Sequence, residues 1–397
     1  MNQPWMDQYL RGLQATGHDF YVLSNMPRNQ QSSVATESSL LDAHVYLSET
    51  ILSHLVIAFS SALTSPLASF RFYKFLRKHS SLRGMRSLVG QVVRSLSHDS
   101  KCSQYFNHCV VAHAHSDRMA YDFLPLLQYY NVPLVLTFHG LDPVGIPRFD
   151  AAKRQLVFDT ARCVIVNTEF AKKQVVELGC SFHKIYVLPQ GIDTERFIYR
   201  DEDRTSELPL RIISVGRFHR DKGQRYSLLA AKRLLDKNIN FSWDFIGVGP
   251  EREQLQEFSK KLGLIGCVRF IDNLDTACLK EYYAAADVFV LASVDNAKGH
   301  HVETQGVVIQ EAQSSGCCVI ATRVGGIPEC IENRVDGLLV KARNHREIAD
   351  AICELLEDKS IARNLRAAAL DRIEKQFASK VIATKMDRIL RKYSLSM

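Results

Sequence analysis

VETQGVVIQEAQSSGCCVIATRVGGIPE, residues 302–329, is the stretch from which the rest of the chain can be read. Glu303 and Glu311 stand eight positions apart, with Gly306 between them and an apolar run, Val307-Val308-Ile309, leading into the second carboxylate. Residues 310–315 read as a helix stopped by Gly316, which suits a left-handed C-terminal position. Residues 317–322 form a short, apolar, β-branched run, the pattern of a parallel strand buried on both faces. Gly325, Gly326 and Pro328 punctuate the next turn, and Glu329 opens another helix.

This layout puts Glu303 in the loop before a helix, where free backbone N–H groups favour an anionic ligand. Gly306 leaves the backbone open to close approach. Glu311 falls about a turn and a half into the helix, at about 3.6 residues per turn. One carboxylate would stand at a ligand's reactive end and the other further along it. The bland alternative is a solvated pair on an ordinary strand–helix unit. The flanking glycines and apolar runs favour the functional reading.

Upstream, residues 210–215 (LRIISV) read as a strand that runs into Gly216-Arg217-Phe218-His219-Arg220-Asp221-Lys222-Gly223. A glycine-flanked loop carrying Arg217 and Lys222 suits a diphosphate, because arginine offers a planar fork and lysine a mobile point charge. It is not a Walker loop, whose Lys is followed by Ser or Thr. Residues 243–247 form a strand that turns through Gly247-Val248-Gly249-Pro250, and residues 268–271, 288–292 and 337–340 are further strands. Helical spacing resumes over 347–377, and 381–393 is a final amphipathic helix.

The first half alternates strands and helices in the same way, which implies one parallel sheet with helices on both faces. Residues 4–15 carry apolar residues at helical spacing and 19–24 look strand-like. Residues 109–114 (CVVAHA) and 132–138 (VPLVLTF) read as buried strands that place His113, His115 and His139 at carboxyl ends, where open α/β sheets bind ligands. Another strand covers 163–168, and 185–188 leads into Pro189-Gln190-Gly191-Ile192-Asp193. The charged, aperiodic segment 199–208 reads as a linker.

Composition narrows the class. A chain of 397 residues with 46% hydrophobic and 23% charged residues is an ordinary globular protein long enough for two domains. Ten cysteines show no C-x-x-C pair and no zinc spacing, which points to a reducing compartment. Residues 1–17 do not resemble a secretory signal, and the apolar run 51–63 is too short to span a bilayer. The net charge of +7 is uneven: residues 66–98 hold Arg71, Lys74, Arg77, Lys78, Arg83, Arg86 and Arg94 among aromatic residues, with no acidic side chain. Such a stretch suits an anionic membrane surface or a solvated helix face. No nucleic-acid motif accompanies it, so nucleic acid is not an expected partner.

Taken together, these motifs resemble the retaining glycosyltransferases of family 4, which have the two-domain GT-B fold. Glu303 and Glu311 match that family's E-x7-E motif, and Gly216-Arg217 with Lys222-Gly223 its Gly-Arg…Lys-Gly signature. Thr137-Phe138-His139-Gly140 is similar to its His-Gly loop, and Gln190-Gly191-Ile192-Asp193 to its Asn-Gly-Val-Asp segment. Residues 306–313 and 139–142 are most similar to the bacterial exopolysaccharide enzymes of the colanic-acid type.

The resemblance implies two Rossmann-like domains facing across a cleft: residues 1–200 on the acceptor side, 207–377 on the nucleotide-sugar side, and 378–397 crossing back. It implies hexosyl transfer from a nucleoside diphosphate sugar to a saccharide or lipid-linked saccharide acceptor, in the cytoplasm or at the inner face of the cell membrane. Arg217 and Lys222 would neutralise the leaving diphosphate, Glu303 would support the anomeric carbon, and His139 would contact the sugar from the other domain. Gly249, Asn273, Leu274, Gln305, Gly306, Val307 and Glu311 would line the donor, with Glu311 on the ribose. The resemblance implies neither a metal nor another cofactor, because in members of this fold the positive side chains replace a divalent cation. Two departures stand out. Thr304 occupies a position where the family has glycine, and the chain starts within a helix, so that either the start is late or the first domain lacks its first strand. A non-catalytic nucleotide-sugar-binding protein, or a phosphorylase or epimerase on the same fold, are the alternatives. A two-carboxylate glycosidase is disfavoured by the phosphate-type loop.

Overall fold

The computed structural model of the chain describes residues 4–17, 22–24, 44–46, 71, 74, 106–141, 149–197, 209–295 and 302–394. Of the basic stretch only Arg71 and Lys74 are described, and both are exposed. The apolar run 51–63, residues 18–21 and the linker 199–208 lie outside the described residues.

Helix α1 (Pro4–Ala15) coincides with the expected first helix. Strands β1 (Val22–Ser24) and β2 (His44–Tyr46) pair in parallel, apart from the main sheets. The first main sheet is parallel, in the order β3 (Ala112–Ala114), β4 (Leu134–Thr137), β5 (Cys163–Val166), β6 (Ile185–Val187). Helices α2 (Asp117–Tyr129), α3 (Ala151–Thr160) and α4 (Glu169–Glu177) connect its strands. Polar caps start two of them: Asp150 accepts from the Lys153 N–H at 2.9 Å, and Thr168 from that of Ala171 at 3.1 Å. Strand β3 is shorter than its apolar run and is an edge among the described residues. His113 therefore sits within the strand, while His115 and His139 follow strand ends.

The second sheet has six parallel strands: β7 (Leu210–Val215), β8 (Phe241–Ile246), β9 (Val268–Ile271), β10 (Val288–Leu291), β11 (Cys318–Thr322) and β12 (Leu338–Val340). Their connections are α5 (Gln224–Asp236), α6 (Arg252–Lys261), α7 (Thr276–Ala285), α8 (Val307–Ser314) and the single turn α9 (Ile327–Cys330). The spatial order β12-β11-β10-β7-β8-β9 reverses direction beside β7. In a doubly wound sheet the carboxyl ends of the strands flanking such a reversal, here β7 and β10, are where a ligand crevice is expected. Three strands are tied at this point. The buried Trp243 indole of β8 donates to Ser214 Oγ of β7 at 3.1 Å, and that hydroxyl donates to the Val290 carbonyl of β10 at 2.8 Å.

Local chemistry corrects three boundaries. Helix α8 starts at Val307, earlier than residue 310, because Gly306 with φ 77° supplies a left-handed cap. It ends in a two-bond closure, Gly316 N–H to Gln313 O at 3.1 Å and Cys317 N–H to Ala312 O at 3.0 Å, so β11 begins at Cys318. Glu329 lies inside α9 and does not open it.

After α10 (His345–Glu357) and α11 (Lys359–Arg372), helix α12 (Ser379–Tyr393) returns to the first sheet. Its Ile382, Met386 and Leu390 share one apolar cluster with Leu13 of α1 and with Val135, Cys163, Ile165 and Leu188. A Cβ on Gly12 would come to 2.9 Å of Ala383 Cβ, so the close contact of α1 with α12 needs that glycine. The described cysteines carry free thiols. No helix of the described residues is long and apolar enough to cross a membrane.

Candidate functional site

The loop leaving β7 carries the cations. Lys222 ends a 3₁₀ turn (Arg220–Lys222), and Gly223, with φ 64°, turns the chain into α5. A Cβ at Gly223 would lie 1.9 Å from the Ala292 carbonyl oxygen, so only glycine lets this loop rest on the end of β10. Gly249 serves a second close contact: its added Cβ would stand 2.3 Å from Phe218 O, where the turn after β8 lies on the same loop. Arg217 is half-buried, and its guanidinium makes no ion pair among the described residues.

Across the crevice, Glu303 reaches Lys222. Its Oε2 pairs with the ammonium in a half-buried ion bridge. The Glu303 backbone is pinned from behind, its carbonyl accepting the Gly326 N–H at 2.9 Å. Added Cβ atoms at Gly325 and Gly326 would lie 2.1 Å from Glu303 O and 1.9 Å from Thr304 O, so both positions require glycine. Gly306 and Val307 begin α8 directly behind this loop.

Glu311 sits on the same helix, with Oε2 accepting from the Tyr283 hydroxyl at 2.9 Å. Burial pushes the Glu311 carboxyl above its ordinary value, and the Tyr283 hydrogen bond pulls it back only in part. Leu274 is half-buried against the apolar cluster that contains Tyr283, whereas Asn273 is exposed in the loop after β9.

The first sheet contributes a histidine cluster. The His115 Nδ1 and His139 Nε2 atoms are 3.2 Å apart, with rings stacked 5.5 Å between centroids. His113 lies between the Tyr9 hydroxyl, on its Nδ1, and Thr137 Oγ1, 2.7 Å from Nε2. Burial lowers His139 to about 4. His113 falls to about 3, through burial first and the His139 charge second. Burial, then the His113 and His139 charges, take His115 well below the ordinary range. All three imidazoles are therefore neutral near pH 7. A cavity beside them is walled by Tyr9, His115, His139, Asn167, Gln190 and, from α12, Met386.

Three consecutive side chains of the Glu303 loop take separate partners. Glu303 binds Lys222 within its own half, while the next two cross to the first sheet. Thr304 Oγ1 accepts from Asn167 Nδ2 at 3.0 Å and donates to the His139 carbonyl at 3.3 Å. Gln305 is buried, and its amide accepts from Gln190 N–H at 2.7 Å and donates to Gln190 O at 2.9 Å. This amide faces the first half, and the Gln305 carbonyl accepts from the buried Cys330 thiol at 3.1 Å. Nearby, Glu329 accepts from the Glu169 and Phe170 N–H groups at 2.7 Å each, a carboxylate at the positive end of α4.

Thr304, Asn167, Glu329 and Gln190 are not singled out as site residues by sequence. Each acts through a contact more than a hundred positions away along the chain, which no local pattern records. Among the described residues no group of His, Cys, Asp or Glu side chains is arranged to hold a metal ion.

Comparison with known proteins supplies the family. Residues 5–196 match the model of Glycosyltransferase Family 4, and residues 195–372 that of Glycosyl transferases group 1. A D-inositol 3-phosphate glycosyltransferase of Corynebacterium jeikeium is 31% identical over 264 residues, 59% of this chain and 61% of that protein. The amylovoran biosynthesis glycosyltransferase AmsK of Erwinia amylovora is 27% identical over 258 residues, 64% of this chain and 63% of its own. Each match spans less than two thirds of the relative's length. Among solved structures, Anabaena Alr3699/HepE in complex with UDP superposes with a TM-score of 0.64 at 20% identity, covering 74% of this chain and 81% of that one. This last likeness is one of fold.

Proposed function

From the premise that the chain belongs to glycosyltransferase family 4, with its GT-B fold, we propose hexosyl transfer from a nucleoside diphosphate sugar with retained anomeric configuration. The acceptor is a saccharide or lipid-linked saccharide of surface or exopolysaccharide synthesis, a choice supported by the likeness to the amylovoran enzyme. The observation that carries the reading is the facing of Lys222 and Glu303 across the reversal of the second sheet, with His139 brought from the first.

The diphosphate lies on the loop 216–223, where Arg217 and Lys222 stabilise the negative charge that develops as the sugar departs. A bound diphosphate competes with Glu303 for the Lys222 ammonium. The carboxylate is then turned to the anomeric carbon, whose positive charge it supports. Neutral His139 donates a hydrogen bond to a sugar hydroxyl without adding a charge that would oppose the cationic centre. Glu311 accepts from the ribose hydroxyls beyond Gly306. Closure of the two halves keeps water from the activated sugar. The cationic side chains supply the role that a divalent ion has elsewhere. The HepE structure with UDP supports a uridine nucleotide as the first donor to try.

The test is a panel of nucleoside diphosphate sugars offered with oligosaccharide or polyprenyl-linked acceptors. Release of nucleotide and the anomeric configuration of the product are read by NMR, with and without chelator. The reading holds if one donor is consumed with retention in chelator. Inversion, or a rate lost in chelator and restored by magnesium, overturns the corresponding part. Donor binding without turnover under every condition favours a non-catalytic binding protein.

A further inference from the structure

We propose that Thr304 is a positioning residue that fastens the two halves of the chain together and sets His139 against Glu303 before the donor binds. The inference rests on the transferase reading above. Thr304 is buried, and its hydroxyl, carbonyl and methyl groups each have a counterpart in the other half of the molecule. The hydroxyl accepts from Asn167 Nδ2 at 3.0 Å and donates to His139 O at 3.3 Å, while the carbonyl accepts from Thr168 Oγ1 at 2.8 Å. The methyl group lies where a Cβ on Gly140 would be 3.2 Å away, so that Gly140 provides the space.

The hydroxyl thus takes both of its hydrogen-bonding roles with first-half groups, and one of those groups is the main chain of His139 itself. Only one peptide bond separates Thr304 from Glu303, so the spacing of His139 and Glu303 is set through a single residue. Glycine here would leave the buried Asn167 amide without its acceptor, and an unmade bond to a buried amide disfavours the closed form. Among the described residues the buried Asn167 Oδ1 has no hydrogen-bond partner, so loss of the Nδ2 bond would leave both ends of this amide unmet. Serine keeps the hydroxyl, and valine keeps the shape without it.

The variants Thr304→Gly, Thr304→Val and Thr304→Ser are compared with the native chain by small-angle scattering without ligand and by steady-state kinetics. Valine and glycine should enlarge the radius of gyration of the ligand-free protein, while serine should not. In transfer, valine should lower kcat about tenfold, the equivalent of one hydrogen bond. It should also raise the share of donor lost to water and leave nucleotide affinity within about twofold, with serine restoring kcat. Asn167→Ala should match valine, and the double variant should be no worse than either, since both remove the same bond. Unchanged scattering in valine and glycine, a native kcat in valine, or a fully additive double variant overturns the proposal. If the native chain turns over no donor, the function proposed above fails, and ligand-free scattering alone decides whether Thr304 fastens the halves.

Discussion

Replacing Glu311 by glutamine should move stability and donor affinity in opposite directions. In the fold, burial raises the Glu311 carboxyl pKa, and the Tyr283 hydroxyl only partly offsets it. A raised folded pKa means that the stability linked to this group is complete below the unfolded pKa and is lost as pH rises through the folded value. Near pH 7 the Glu311 charge therefore works against folding. Glutamine keeps an oxygen to accept from the Tyr283 hydroxyl, which lies 2.9 Å from the native carboxylate, and carries no charge to bury. The Glu311→Gln chain should melt higher than the native one near pH 7, and the two curves should converge below about pH 4, the ordinary carboxylate range.

Donor binding should suffer for the same substitution. Hydrogen bonds to a charged acceptor contribute about 1.5–3 kcal/mol, and one such bond to the ribose corresponds to roughly ten- to hundredfold in affinity. Because ribose contacts change little during transfer, the loss should appear in the donor KM and leave kcat within a small factor. Melting curves across pH, together with kinetics against donor concentration, read both effects. A Glu311→Gln chain that melts lower near pH 7, or one that loses kcat at unchanged KM, refutes the reasoning.

Glu303→Gln should show the reverse split, a large fall in kcat with donor KM changed little, measured in the same assay. Lys222→Ala and Arg217→Ala should each lower turnover about 100-fold or more while shifting the melting temperature little, as expected for groups that stabilise developing charge. Native turnover in either would remove that side chain from the mechanism. Histidine titration gives a third check. The folded pKa values of about 3 for His113 and about 4 for His139 lie below the unfolded value of about 6.5. Stability is then present above about pH 6.5 and lost as pH falls toward 4, and His139→Gln should flatten that acid limb in melts across pH. Finally, the chain should bind anionic vesicles and leave them in high salt, through the basic stretch 66–98, with about 1 kcal/mol for each basic residue near the surface. Co-sedimentation of a charge-reversed variant at the native level would sink that expectation.

The parts of this site that can be read from sequence are those carried by local pattern. Gly216-Arg217 and Lys222-Gly223 announce a loop whose glycine and charges lie close together along the chain, and Glu303 and Glu311 straddle a single helix start. The two parallel sheets follow from alternating apolar runs, since buried parallel strands lack polar residues on either face. Helix limits are less legible. The start of α8 depends on Gly306 in a left-handed conformation, and the start of β11 on the N–H of Cys317 returning to Ala312. What local pattern does not carry is the joining of the halves. In sequence Thr304 reads as a departure at the approach to the sugar, because its partners, Asn167 and His139, are distant along the chain and meet it only after both sheets have formed. For Gln305, likewise, sequence does not record that its amide pairs with the Gln190 main chain.

The return of α12 to the first sheet sets where this protein can be cut and recombined. A hybrid joined within residues 199–208 would bring its new first half a foreign α12. That helix would then have to fit Leu13, Val135, Ile165 and Leu188, and to lay its backbone against Gly12. A mismatched face of this kind opens cavities in a close-packed interface, and each large-to-small misfit costs about 2–5 kcal/mol. Exchange of first halves among relatives should therefore use two crossover points, one within residues 199–208 and one before Ser379. The last helix then travels with the sheet it covers, although it is encoded with the other half.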